Sequence, residues 1–472
     1  MEELRVLLVT FPGQGHINPS LQLAKRLAAA GLKVTFLTAS SGLTRMSKAT
    51  TATPPGLTFA GFSDGATASF KTADDVNDYM VELRRLGSRA VEDMIASAAA
   101  NGQPFVHVVY TILLPWVGQI ARDLNIPSTF LWIQPAALFG VYYHYLNGYG
   151  DAIRENVVDP SWSIHLPGLP QLHSRDLPSV IKPSNVYDFA VPLVQEHLDF
   201  LASEKNPKIL INTFDTLEPE ALKVVENINL VTVGPLIPSA FLDGKDPSDT
   251  SFGGDLFQKS ADHYIEWLNS KPKESVVYLS FGSLLVLSNR QTEEIARGLI
   301  QSRRPFLWVM RRTENGEKQE DKLSCKEELE ELGMIVPWCS QVEVLQHPSL
   351  GCFVSHCGWN SSLESLVSGV PVVGFPQWSD QATNAKLIED VWKTGIRLTE
   401  NEEGIVEGGE IKRCIEMAME GEEMRRNAKK WKDLALEAAG EGGSSTVNLR
   451  AFLGEIEAGG EPDEPFLSPL TL

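Results

Sequence analysis

Two stretches hold residues whose types and spacing could do chemistry. The first runs from Trp338 to Gln381 and collects Trp338, Gln341, His356, Trp359, Asn360, Ser361, Glu364, Asp380 and Gln381. At its centre the apolar run Gly351–Ser355 reads as a buried strand. His356-Cys357-Gly358-Trp359-Asn360 reads as a turn, and Ser361–Ser368 as a helix closed by Gly369. A strand feeding a turn at a helix N-terminus presents unpaired backbone N–H groups and the positive end of the helix dipole, an arrangement that suits a diphosphate. The second is the loop FPGQGHINP, which carries His16. A lone histidine is usually structural. One at the carboxyl end of a strand, just before a helix, is better placed to move a proton.

These side chains need elements to position them. Leu4–Thr10 reads as an apolar strand, Pro19–Ala30 as an amphipathic helix with Asn18 at its N-cap and Pro19 at N1, and Lys33–Thr38 as the next strand. That β-loop-α-β opening predicts a parallel, doubly wound sheet with ligands at the carboxyl ends of its strands. Asp74–Ala100 reads as a long helix; Phe105–Val109, Ile126–Trp132, Lys208–Asn212 and Leu230–Val233 read as strands. The aromatic run after Trp132, with Phe139 and Tyr142, fits a core face and a pocket wall equally well, and Gln134 follows the same strand. A segment rich in Pro, Gly, Asp and Ser from Pro238 to about Ala261 marks a linker. The second half restarts with the helix Asp262–Asn269 and the strand Ser275–Phe281. Gly282-Ser283 follows, and Ser288 to Gln291 matches a capping box. Pro305–Met310 is a further strand, Arg311–Glu331 a solvated charged run, and Met417 to Leu436 a helix.

Composition narrows the class. With 472 residues and a formal charge of −20, the chain is long enough for two or three cored domains and is the wrong sign for a nucleic-acid surface. No apolar run reaches membrane-spanning length, the N-terminus reads as a strand rather than a leader, and 5 cysteines suggest reduced thiols, so a cytoplasmic protein is expected. Cys352, His356 and Cys357 could suggest zinc, but the two thiols fall on opposite faces of a strand, and no metal is expected.

In length and at nearly every characteristic position, Trp338–Gln381 resembles the signature of plant family 1 UDP-dependent glycosyltransferases. The likeness runs from Val6 to about Phe452. The nearest-looking branch contains glucosyltransferases for crocetin, auxin-type and abscisic acids, and anthocyanidin 5-hydroxyls. The resemblance implies an α/β, GT-B-like fold of two doubly wound Rossmann-type domains facing across a cleft. Residues 1–237 would form an acceptor-binding domain, 238–261 the linker and 262–453 a UDP-sugar-binding domain. The last helix would pack back on the first domain, and 454–472 would be a disordered tail.

It also implies roles. Trp338 would stack on uracil and Gln341 would bond its edge. Ser283, His356, Asn360 and Ser361 would meet the diphosphate, with Trp359 in the same turn. Glu364 would bind the ribose, although Ser361–Glu364 also fits a capping box. Asp380 and Gln381 would grip the sugar, although Asp380 also suits the N-cap of a helix near Ala382. His16 matches the general base. Gln134, Phe139 and Tyr142 would border the acceptor. Most of the family carries an aspartate that orients the histidine, in the motif matching Tyr110–Trp116, and here that position is Thr111.

The expected reaction is inverting transfer of glucose from UDP-glucose to the carboxylate or hydroxyl of a small lipophilic metabolite, with a glucose ester favoured. UDP-glucose would be a co-substrate, with no cofactor and, in the absence of a D-x-D triad, no metal. Partners would be the acceptor and the UDP-sugar only, with no nucleic acid, no membrane span and a monomeric chain. Rival readings are O-glucosylation of flavonoid hydroxyls, a catalytically weak nucleotide-sugar-binding protein, and an epimerase or phosphorylase on a similar fold.

Overall fold

The computed structural model describes residues 3–46, 53–65, 73–182, 189–252, 263–283, 285, 287–311 and 323–459. By internal contacts the chain forms two compact units. The first holds residues up to Ile237 together with the segment from Ala438 onward; the second holds most of what lies between.

The first unit is built on β1 (Arg5–Val9), β2 (Lys33–Ala39), β3 (Leu57–Phe62), β4 (His107–Thr111) and β5 (Ser128–Trp132). A short antiparallel ribbon of β6 (Ser163–Ile164) and β7 (Leu172–His173) intervenes before β8 (Lys208–Ile211) and β9 (Asn229–Thr232). The large sheet is wholly parallel, in the order β3-β2-β1-β4-β5-β8-β9. Val6 to Val9 have no exposed surface, as a strand covered on both faces requires. The helix Ser444–Glu457 belongs to this unit: Ser445 Oγ donates to the Gly234 carbonyl, Asn448 Nδ2 to the Thr232 carbonyl, and Phe452 meets His107 edge-on.

The second unit carries β10 (Val276–Ser280), β11 (Phe306–Val309), β12 (Met334–Val336), β13 (Leu350–Ser355), β14 (Val372–Gly374) and β15 (Gly395–Arg397). Its sheet is also parallel, in the order β12-β11-β10-β13-β14-β15. Alternate residues serve opposite faces: Val277 and Leu279 join Cys352 and Val354 in one core cluster, while Val276 and Tyr278 join Leu350 and Phe353 in another. In both sheets the winding reverses beside the first strand, between β1 and β4 and between β10 and β13. Ligands of doubly wound sheets bind at such switch points.

Several boundaries differ from the sequence reading. The first helix starts at Gln14 rather than Pro19, with Gly13 at its N-cap and Pro19 inside it. The Gly13 carbonyl accepts from both His16 N and Ile17 N, so the turn closes before the proline is reached. The helix after β13 begins at Trp359 rather than Ser361. Met417 to Leu436 is not one helix, because Gly421 separates Gly408–Glu420 from Glu422–Ala439. The last helix runs to Glu457, past the expected start of the tail, and most of the tail from 460 lies outside the described residues, as does much of the linker and of the charged run after Arg311. Cys357 lies beyond β13, in the turn, rather than on the strand.

Candidate active site

In the first unit the site is the loop after β1. Thr10 N donates to the Leu37 carbonyl, and the chain then turns so that His16 falls in the first turn of the helix Gln14–Ala29. Its ring tilts against Phe11, with centroids 5.1 Å apart, and Nδ1 is shielded with no partner among the described residues. Burial lowers the imidazole to about 4, and the positive end of the helix dipole acts in the same direction. His16 is therefore neutral at pH 7.

Thr111 ends β4 on the neighbouring strand, fully buried. Its Oγ1 lies 3.3 Å from Thr10 Oγ1, which also accepts from Ser20 Oγ at 3.1 Å. The hydroxyl thus belongs to a buried network across β1 and β4, and His16 is not among its partners. Gln134 follows β5 half-buried, with Oε1 shielded and without a partner among the described residues. Phe139 and Tyr142 are buried, packed edge-on against Trp132 with centroids 5.2 and 6.2 Å away. Of their two readings, that geometry is the core one. Glu218, which sequence reasoning missed, caps the helix Ala136–His144: its carboxylate accepts from Ala136 N and Ala137 N at 3.0 and 2.9 Å. That helix start is therefore already filled by an anion from the chain itself.

The second unit gathers its candidates at the carboxyl ends of β10 and β13, paired through Ser280 and Ser355. His356 leaves β13 and sits between two glycines. A Cβ on Gly282 would come within 2.6 Å of its Nε2, and one on Gly358 within 2.5 Å. Cys357 holds a left-handed φ of 61, uncommon for a residue with a Cβ, and is fully buried. Burial lowers His356 to about 4, with the Ser280 backbone opposing and Arg311 assisting. The ring is thus a neutral hydrogen-bonding group at working pH. Trp359, Asn360 and Ser361 form the first turn of the next helix, behind an N-cap at Gly358 that has no side-chain bond.

The polar side chains around that helix are pre-bonded. Gln341 Nε2 donates to both Ser361 Oγ and Glu364 Oε2 at 2.8 Å, and Tyr278 OH donates to Gln341 Oε1 at 3.4 Å. Glu364 therefore turns toward Gln341, and Ser361–Glu364 forms no capping box. Trp338, half-buried, follows β12. Asp380 is at the N-cap of the helix Gln381–Lys386 but does not cap it with its side chain. Its carboxylate instead accepts from Asn384 Nδ2 at 2.7 Å and from the Trp359 backbone N–H. Burial raises Asp380 to about 6. Gln381 Oε1 accepts from Gln377 N and Trp378 N, which fixes its amide plane.

Sequence reasoning missed two further residues here. Arg311, read as the start of a solvated run, is half-buried and donates to the carbonyls of Ser283 and Leu285, clamping the loop after β10. Asn384 is fully buried beside Asp380, and their separation of one helical turn was the available signal. No group of three or more His, Cys, Asp or Glu that could hold a metal occurs among the described residues.

Residues 250–432 match the family described as UDP-glucoronosyl and UDP-glucosyl transferase. A crocetin glucosyltransferase, chloroplastic, from Gardenia jasminoides is 58% identical, covering 97% of this chain and 98% of its own length. A phloretin 4'-O-glucosyltransferase from Malus domestica is 60% identical, with coverage of 97% and 98%. The crystal structure of Os79 from O. sativa in complex with UDP superposes with a TM-score of 0.79 at 33% identity, covering 96% of this chain and 100% of that one. Two parallel, doubly wound units with these relatives make the fold GT-B-like, and the chain belongs to the plant family 1 branch of the UDP-glucosyltransferases.

Proposed function

We propose that this chain transfers glucose from UDP-glucose to the carboxylate or hydroxyl of a small lipophilic plant metabolite, inverting the anomeric carbon, with a carboxylate favoured. Its membership of a glucosyltransferase family supports the donor and the reaction. The observation that carries the acceptor preference is His16 itself, whose Nδ1 meets no partner among the described residues while the Thr111 hydroxyl is engaged by Thr10.

In the reaction the acceptor oxygen bonds to the anomeric carbon as the bond from that carbon to the β-phosphate oxygen breaks, and its electron pair leaves with UDP. A carboxylic acid near ~4 is already ionised at neutral pH and brings a free electron pair, whereas a phenol near ~10 must lose its proton on the way. His16 would take that proton. With a pKa of about 4 it is a weak base, and no carboxylate among the described residues bonds Nδ1 to steady the imidazolium that forms.

On the donor side, membership of the family supports Trp338 and Gln341 for the uracil, Glu364 for the ribose, and Ser283, His356, Asn360 and Ser361 for the diphosphate. Asp380 and Gln381 would meet the sugar hydroxyls, with Trp359 acting through the backbone N–H it gives Asp380. Charge on the departing UDP would be met by the helix N-terminus at Trp359 and by neutral His356, so activity should survive chelators.

The similarity to a phloretin 4'-O-glucosyltransferase favours a second reading, transfer to a phenolic hydroxyl. We place either reaction in the cytosol, a reading supported by five unpaired cysteines, four of them buried. No helix among the described residues is long and apolar enough to cross a membrane. A monomer is consistent with the exposed large apolar side chains, which stand singly along the chain at Val81, Leu124, Val158, Val391, Met417 and Val447.

The test is product mass spectrometry over terpenoid acids, auxins, phenols and flavonoids with several UDP-sugars, on wild type and H16A. H16A should lose about 10²–10⁴ in kcat with a hydroxyl acceptor and under about tenfold with an acid. Wild-type glucosylation of hydroxyls alone would overturn the ester preference. No UDP release with any acceptor would leave only a nucleotide-sugar-binding protein.

A further inference from the structure

We propose that Asn384 is a positioning residue of the donor site, whose side-chain amide locks the Asp380 carboxylate to the His356–Gly358 turn so that it meets the sugar in one orientation. The inference rests on the reading of Asp380 as an acceptor for sugar hydroxyls.

Asn384 has no exposed surface. Its Nδ2 donates to the Cys357 carbonyl at 2.8 Å and to Asp380 Oδ2 at 2.7 Å, so one NH2 group uses both of its protons on two different elements. One partner is the backbone of the left-handed residue directly after His356. The other is the carboxylate just before the helix that carries Asn384, one turn away. Trp359 N–H reaches the same carboxylate from the first turn of the neighbouring helix. Asp380 is therefore held from both sides, and its orientation is tied to the turn that would carry the diphosphate.

The orientation of the Asn384 amide follows from its partners, since turning it over would place its oxygen against a carbonyl and a carboxylate. The cost of the arrangement is visible. Asn384 Oδ1 is buried and has no partner among the described residues, a penalty that a residue serving only to fill space would not carry. Leucine has the same branched shape, though bulkier, without an orphaned acceptor, but it would release both Cys357 O and Asp380. Aspartate would set a second carboxylate against the first.

The test compares wild type, N384L, N384D and D380A by equilibrium binding of UDP and of UDP-glucose, and by kcat and KM with UDP-glucose and UDP-galactose. N384S, which is smaller than asparagine and too short to bridge both partners with its single hydroxyl donor, stands in for N384L should that variant fail to fold. In N384L, UDP-glucose binding should fall about tenfold or more and by a clearly larger factor than UDP binding, because the freed Cys357 carbonyl touches the turn both ligands share while the freed Asp380 affects only the sugar. The preference for UDP-glucose over UDP-galactose should shrink, more in N384D than in N384L, and D380A should show the same pattern. If D380A shows it while N384L binds UDP-glucose like wild type, or loses UDP and UDP-glucose equally, the positioning role is overturned. If D380A itself leaves UDP-glucose affinity unchanged, the reading of Asp380 fails and the role of Asn384 falls with it.

Discussion

Thr111 Oγ1 lies 3.3 Å from Thr10 Oγ1 and is fully buried, so the hydroxyl at the position matching the family's aspartate is held inside the first sheet. Thr111→Asp should change the balance of acceptors. The new carboxylate would accept a hydrogen bond from the Thr10 hydroxyl, which itself accepts from Ser20, and would supply negative charge toward an imidazolium at His16. The expected outcome is a rise of about tenfold in kcat/KM with a phenol, little change with a carboxylic acid, and a lower melting temperature from the buried charge. Paired acceptors assayed with one enzyme preparation give the ratio directly. A ratio unmoved by the substitution would show that charge balance at His16 does not limit the phenol reaction.

His356 and Gly358 should behave as one unit in donor binding. The imidazole is neutral at working pH, so in the proposed donor site it would contribute a hydrogen bond beside the diphosphate rather than a full charge. His356→Ala should weaken UDP binding by roughly 1.5–3 kcal/mol. Gly358→Ala should reproduce much of that loss with the histidine still present, because the added Cβ would fall 2.5 Å from Nε2 and displace the ring. Calorimetric titration of UDP into both variants checks the pair. Wild-type affinity in G358A would mean that the ring position does not matter to the phosphate.

His197 makes acid stability testable. Its ring stacks on Phe130 with centroids 3.9 Å apart, and Nε2 donates to the Ile112 carbonyl at 2.6 Å. Burial lowers it to about 4, below its usual value of 6.5, so the unfolded chain takes up this proton first as pH falls. The stability it contributes is fully present above pH 6.5 and is lost as pH falls from there toward 4, at up to about 1.4 kcal/mol per pH unit. His197→Phe keeps the stack and removes the titration. The variant should be less stable at neutral pH, with the Ile112 carbonyl left unpaired, yet lose less of its remaining stability on acidification. Denaturant midpoints for both proteins across that range should therefore converge as pH falls, and parallel curves would exclude the assignment.

The parts of the fold that the sequence made legible are those where one chain segment suffices. The run from Leu350 to Gly369 reads as strand, turn and capped helix because periodicity, Gly358 and Gly369 all act locally. His16 was found for the same reason, as a polar residue between an apolar strand and an amphipathic helix. What escaped depends on partners far along the chain. Glu218 cannot be seen as the cap of a helix beginning at Ala136, and Arg311 looks solvated until the Ser283 carbonyl is brought beside it. The Pro19 boundary failed for a different reason. Proline commonly starts helices, but here Gly13 had already closed the first turn.

Asp380 supplies the last prediction, because its pKa of about 6 lies within the range where the enzyme can be assayed. Burial raises it from 3.8, and the Asn384 and Trp359 donors oppose that rise without cancelling it. Above this value the carboxylate is ionised and, in the proposed site, would accept sugar hydroxyls; below it the group carries a proton and loses acceptor capacity. The KM for UDP-glucose should therefore be flat at and above pH ~7 and rise as pH falls through ~6, approaching a tenfold increase per unit once the acid form dominates. UDP alone has no sugar to grip, but its terminal phosphate takes up a proton near ~6 as well, so the control is the D380N enzyme with UDP-glucose, whose esterified phosphate does not titrate there. His16 and His356, both near 4, remain neutral through the same interval and cannot produce the change. In Asp380→Asn, whose side chain does not titrate, the KM should be high at every pH and its rise near 6 should vanish. A pH profile with the same inflection in D380N would assign the titration to another group and remove Asp380 from the sugar site.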